Sequence, residues 1–156
     1  MSQKQTYLFD YQGETVSIQI DEVYSGDFGT TVWPSSLLLA EFIFKNSSFF
    51  HNKVVLELGC GSGLAGIAAA KCGSKLFFTD LDYPVSVLDN CKYNCEINGV
   101  NDHSTVVSIA SFYYHKIPLR WGHITKSIFD LPSIDVIIGS DLFYDTGSNN
   151  SYVFLV

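Results

Sequence analysis

Basic residues are scarce in this sequence: nine Lys and Arg stand against sixteen Asp and Glu, for a formal net charge of −7 at pH 7. Proteins that grip a phosphate backbone usually carry a clustered Lys/Arg surface, so direct nucleic-acid binding is not expected, and a basic protein partner suits the acidity better. Long apolar runs are absent too. The longest, "LLLAEFIF" at 37–44, is short and contains Glu41, and the opening "MSQKQTY" is polar. Neither a membrane span nor a targeting leader is expected, and the chain reads as soluble and intracellular. The four cysteines, at 60, 72, 91 and 95, have no paired CxxC spacing, and His51, His103, His115 and His123 show no ligand spacing. No metal site and no disulfide framework are expected, which leaves reduced, mostly buried thiols. Repeats and low-complexity tracts are missing as well.

What remains is ordinary globular composition, with 47% hydrophobic and 16% charged residues over 156 positions, enough for one domain with a substantial core. Residues 6–20, "TYLFDYQGETVSIQI", hold two strand-like runs around Gln12-Gly13-Glu14 and predict an N-terminal β-hairpin. "VWPSSLLLAEFIFK" predicts a helix with Pro34 in its first turn and a mostly apolar face to bury. From Lys53 the order becomes strand "KVVLEL", turn "GCGSG", helix "LAGIAAAKCG", strand "KLFFTD", and then a helix over about 84–98. "STVVSI" predicts a third strand and "IDVIIGSDLFYD" a fourth, with an irregular segment holding "SFYYHKIPLRWGH" between them. Continuous apolar strands alternating with helices indicate an open α/β sheet of Rossmann type.

Ligands bind such sheets at the carboxyl ends of the strands, and acids gather there: Glu57 after the first strand of this sheet, Asp80 after the second, Asp141 after the fourth. Gly59, Gly61 and Gly63 occupy the first strand-to-helix turn, where the backbone passes beneath a ligand and a Cβ would obstruct it. Asp80 follows Gly59 by 21 residues, the distance at which a second-strand acid meets ribose hydroxyls. "GSGLAG" at 61–66 formally satisfies GxGxxG and keeps a nicotinamide-dependent dehydrogenase open. A carboxylate beside that turn would repel a pyrophosphate. S-adenosyl-L-methionine instead carries a cationic amino group and sulfonium, which Glu57 favours.

Glu57 to Gly63 spell ExGxGxG, and "VWPSS", "LELGCGSGLAGIAAAKCG", "FTD", "RWGH" and "SDLFYD" follow in order along residues 6–145. In these motifs the chain resembles family 16 of the seven-strand class I methyltransferases, a group of protein methyltransferases. The resemblance implies a Rossmann-like methyltransferase sheet behind the hairpin, a single domain over 1–156 with its cofactor-binding core at 53–145, and S-adenosyl-L-methionine as cofactor. It implies that Trp33 packs near the methionine part of the cofactor and that Gly59, Cys60 and Gly61 form the turn beneath it. Asp80 holds the ribose, Trp121 flanks the adenine and Ser140 lines the cofactor, while Asp141 and Tyr144 orient the incoming nitrogen.

The implied reaction is in-line methyl transfer to a side-chain nitrogen of a protein substrate such as a histone or a chaperone-type protein, in the cytoplasm and nucleus. Histone arginine and lysine both stay open as targets. The chain departs from the relatives in two places. "ASFYYHKIPL" precedes "RWGH" as an insertion, and after "SDLFYD" the relatives continue through three further strands. The C-terminal strands are therefore expected to be missing, which sets a truncated, non-catalytic cofactor-binding or interaction module beside the enzyme reading.

Overall fold

The computed structural model describes residues 2–24, 28–81, 86–100, 114–119 and 126–142. Strands β1 (Ser2–Tyr11) and β2 (Glu14–Val23) form an antiparallel hairpin longer at both ends than 6–20. Its two-residue turn places both Gln12 and Gly13 at positive φ, 53° and 83°, which matches the twist of the flanking strands. A 3-10 turn at Phe28–Thr30 leads to helix α1 (Pro34–Lys45), with Pro34 at its start as expected, and to the short helix α2 (Ser47–Phe50). Of α1, Ala40, Ile43 and Phe44 are buried, and Phe44 packs on Phe9 and Tyr11 of β1. Leu38 and Phe42 face outward, so the apolar face is covered less fully than the sequence predicts.

The main sheet has the order β5-β4-β3-β6, built from β3 (Val54–Leu58), β4 (Lys75–Asp80), β5 (Tyr114–Pro118) and β6 (Val136–Gly139), every pair parallel. Between the strands come α3 (Leu64–Lys71), α4 (Ser86–Ile97) and α5 (Lys126–Phe129). The fold class is α/β, with the N-terminal hairpin in place. Alternate residues of β3 and β4 feed two cores, which explains their unbroken apolar runs. Val55, Leu76 and Phe78 join Ile18, Ile20, Ile43, Ile67 and Leu88 on one face; Leu56, Leu58, Phe77 and Ile117 meet Ile128, Leu131 and Ile134 on the other.

Strand β5 corrects the sequence reading. It lies inside "SFYYHKIPLRWGH", which is predicted to be irregular, and pairs with β4 from Leu76↔Tyr114 to Asp80↔Pro118. Lys116 and Pro118 disguise it, because both are tolerated on a strand at the edge of the sheet, where β5 stands among the described residues, but weaken an apolar pattern. The predicted strand "STVVSI" lies outside the described residues. No described helix is long and apolar enough to cross a membrane.

Candidate functional site

The first strand-to-helix turn follows β3 directly. Gly59, Gly61 and Gly63 all have positive φ, at 58°, 52° and 86°, a region that costs ordinary L residues steric strain. Space is restricted as well: a Cβ on Gly63 would stand 2.8 Å from the Cys91 sulfur, and one on Gly61 3.1 Å from the Gly29 carbonyl oxygen. The Cys60 N–H donates to the Thr79 carbonyl at 2.9 Å, and the Thr79 hydroxyl donates to the Glu57 carbonyl at 2.7 Å. The turn is thereby tied to β4 at the strand's last residues.

Asp80 closes β4 and braces the same turn. Its carboxylate accepts the Gly61 N–H at 2.8 Å and the Leu81 N–H at 2.7 Å. Partial burial raises its pKa, against the two backbone donors, which lower it. Among the described residues each oxygen receives one protein donor, and a carboxylate offers about four acceptor positions in all, which leaves room for a ligand hydroxyl.

Glu57 lies deeper. It is buried, and its carboxylate accepts the Gly66 N–H at 3.1 Å beneath the start of α3. Burial first, and then the neighbouring Cys91, hold its carboxyl well above the usual range. Cys60 also turns inward. The buried thiols of Cys60 and Cys95 beside Cys91 pull it down to about 5, while both are themselves pushed up. Only the backbone of Cys60 is therefore presented at the turn. All four cysteines are free and buried, as the sequence predicts.

On the other side of β3, Leu58 pairs with Gly139 of β6, so Ser140 and Asp141 emerge beside Gly59. The Ser35 hydroxyl, in the first turn of α1, donates to the Asp141 carboxylate. Trp33 stands just ahead of α1, 43% exposed, with its carbonyl accepting the Ser36 N–H at 3.0 Å and the Ser36 hydroxyl at 2.7 Å. Buried Glu22 of β2 fixes the same approach: it accepts the Tyr7 hydroxyl at 2.6 Å and the Val32 N–H at 3.3 Å.

Strand register thus gathers Gly59, Cys60, Gly61, Gly63, Asp80, Ser140 and Asp141 at the carboxyl end of the sheet, with Ser35 linked to them through Asp141 and Trp33 two residues ahead of Ser35. Trp121 and Tyr144 lie outside the described residues. The sequence reading overlooks Ser35 as a functional group, although a hydroxyl in the first turn of a helix was visible within "VWPSS". Two clefts of about 430 and 480 Å³ lie elsewhere, one beside Lys75 and Lys116 and one between Leu8 and Leu38. Neither includes a residue of this group. Among the described residues no cluster of His, Cys, Asp or Glu is arranged for a metal ion.

A family model described as "Lysine methyltransferase" matches residues 12–154. The histone-arginine methyltransferase METTL23 of Xenopus laevis is 35% identical over 132 residues, covering 85% of this chain and 52% of the relative. Its namesake from Mus musculus is 33% identical over 148 residues, covering 90% and 54%. The chain therefore spans about half the length of the curated relatives it matches. Among solved structures, the Thermus thermophilus 16S rRNA N2 G1207 methyltransferase RsmC, in complex with AdoMet and guanosine, superimposes with a TM-score of 0.58 at 16% identity. That match covers 92% of this chain and 34% of the other, a likeness of fold.

Proposed function

Because the chain belongs to the lysine methyltransferase family, we propose that it is an S-adenosyl-L-methionine-dependent protein methyltransferase acting on a side-chain nitrogen. The observation that carries this reading is the pairing of Asp80 with Gly61, which sets an acid with spare acceptor capacity directly over a glycine turn. That arrangement fits a ribose diol above a close-approaching backbone. The residues that would hold the cofactor are Asp80 at the ribose, the backbone of Gly59–Gly63 beneath it, Ser140 along it and Trp33 near its methionine part. The family resemblance adds Trp121 at the adenine.

The cofactor supplies an already activated methyl group on a sulfonium, so the chain's own task is mainly positioning. Asp141, oriented by Ser35, accepts from the incoming nitrogen and holds it in line, with Tyr144 beside it by family resemblance. Glu57 serves the site from below, by bracing α3 under the turn. An acidic chain suits a basic protein substrate. A histone arginine is the target we favour, because the METTL23 relatives carry that activity in their names.

Isothermal titration with S-adenosyl-L-methionine and with NAD tests the cofactor, and methyl transfer to histone peptides carrying Arg or Lys at the acceptor position tests the target. We expect binding of the first ligand only, and transfer to Arg. Tight NAD binding without S-adenosyl-L-methionine binding would overturn the cofactor assignment, and transfer to Lys alone would overturn the arginine assignment.

A further inference from the structure

Asparagine recurs at 90, 94 and 98, a spacing that aligns three weak helix formers along one face of α4 and its end. All three reach the backbone of β2. Asn98 accepts the Gln19 N–H at 2.9 Å and donates to the Gln19 carbonyl at 2.6 Å. Asn94 accepts the Asp21 N–H at 2.8 Å, and Asn90 donates to the Asp21 carbonyl at 2.8 Å. Four helical residues rise about 6 Å and two strand residues about 6.7 Å. The side-chain amides therefore keep step with the outward backbone groups of Gln19 and Asp21 and take the place of a neighbouring strand.

Asn94 also reaches the glycine turn. Its Nδ2 donates to the Ser62 carbonyl at 3.0 Å, inside the Gly59–Gly63 turn, and to the Asn90 side chain at 3.3 Å. The residue is completely buried, so this carboxamide is shielded from competing water and its loss would leave buried groups unpaired. One side chain joins the hairpin to the turn. Asn98, partly exposed, bonds through its side chain only to Gln19 and to the Asn94 carbonyl among the described residues.

Resting on the reading of that turn as the cofactor's seat, we propose that Asn94 is a positioning residue. It sets the Ser62 peptide between Gly61 and Gly63, while the same carboxamide holds β2 at Asp21.

The test compares Asn94→Asp, which keeps the shape and the acceptor but loses the amide donor, with Asn98→Ala, which loosens the hairpin without touching the turn. Amide hydrogen exchange in the free protein and titration with S-adenosylhomocysteine are read for both. Asn94→Asp should exchange about tenfold faster at residues 60–64 and bind about tenfold more weakly, the scale of one hydrogen bond. Asn98→Ala should speed exchange at residues 19–21 and change neither quantity at the turn. Equal effects from the two variants, or unchanged exchange at 60–64 in Asn94→Asp, would overturn the proposal. Should Asn94→Asp not fold, Asn94→Ser removes the amide donor without adding a charge but loses the acceptor for the Asp21 N–H as well, so its effect at residues 60–64 is read against its effect at residues 19–21. A parent chain that binds no S-adenosylhomocysteine would refute the cofactor reading, while the exchange comparison would still decide the role of Asn94.

Discussion

The Ser35 hydroxyl donates to the Asp141 carboxylate, joining the first turn of α1 to the end of β6 across 106 sequence positions. Asp141 has φ of 53°, a left-handed conformation that Asp tolerates better than most residues. An exposed acid in a strained turn is thereby held to one direction, beside the helix that Trp33 precedes.

If Asp141 aligns the acceptor nitrogen, Asp141→Asn should lower the rate of methyl transfer by about 100-fold, the scale of a misplaced reacting group. Cofactor affinity should stay within about threefold, since a change below roughly 0.7 kcal/mol marks no lost contact. Ser35→Ala should cost about tenfold in kcat through the lost hydrogen bond, and Ser35→Thr, which retains a hydroxyl, should recover most of it. Steady-state kinetics beside calorimetry check all three. A loss confined to cofactor binding would move Asp141 out of the substrate site.

Asp80→Ala should weaken S-adenosyl-L-methionine binding by about 1.5–3 kcal/mol, the range for charge-assisted hydrogen bonds. Burial raises the Asp80 pKa, so the carboxylate protonates at a higher pH than an ordinary aspartate. Affinity should therefore fall on acidification of the parent protein, and Asp80→Asn should lack that acidic limb. Titration calorimetry from pH 4.5 to pH 8 would show it; matching profiles would detach Asp80 from the ligand.

The glycine turn, the strand-end acids and the parallel sheet were legible because each follows from local spacing: apolar runs, glycines at alternate positions, an acid closing a strand. Strand β5 was not, since His115, Lys116 and Pro118 hide a strand whose pairing with β4 is a long-range fact. The inward turn of Cys60 and Glu57 was also illegible. Spacing assigns a residue to the turn but does not say whether its side chain faces the ligand or the core. The ties that orient the site, Ser35 to Asp141 and Asn94 to Ser62, join elements far apart in sequence. No local pattern announces such a pair, although three asparagines at four-residue intervals were a signal that helix propensity leaves unexplained.

Gly66 lies within α3, where alanine would ordinarily add about 1 kcal/mol of helix stability. Here a Cβ would overlap the Phe78 ring and the Glu57 carboxylate, both of them buried. Overpacking of this kind costs about 1–3 kcal/mol or more and outweighs the propensity gain. Gly66→Ala should therefore lower the midpoint of urea unfolding relative to the parent protein. A Gly66→Ala protein more stable than its parent would show that α3 can move away from the sheet.

Glu57 gives the last prediction, a dependence of stability on pH. Its folded pKa is raised well above 4.5, chiefly by burial, so in the intervening window the folded state binds a proton that the unfolded chain releases. Linkage then fixes the sign: stability from this group is fully present below the unfolded pKa and is lost as pH rises through the folded value. Each pH unit crossed within that window removes up to about 1.4 kcal/mol. Glu57→Gln keeps an oxygen to accept the Gly66 N–H and does not titrate. Its extra N–H group needs a partner and shifts the absolute level by about 1–3 kcal/mol, so the informative quantity is the slope against pH. Thermal melts from pH 5 to pH 8.5 should show the parent falling relative to Glu57→Gln as pH rises. Asp80, also raised, is present in both proteins and contributes to each. A cationic cofactor over the turn would favour the Glu57 carboxylate, so saturating S-adenosyl-L-methionine should flatten the difference. Parallel profiles without ligand would mean that Glu57 is ionised in the folded chain, and its place under α3 would then have to be that of a buried anion.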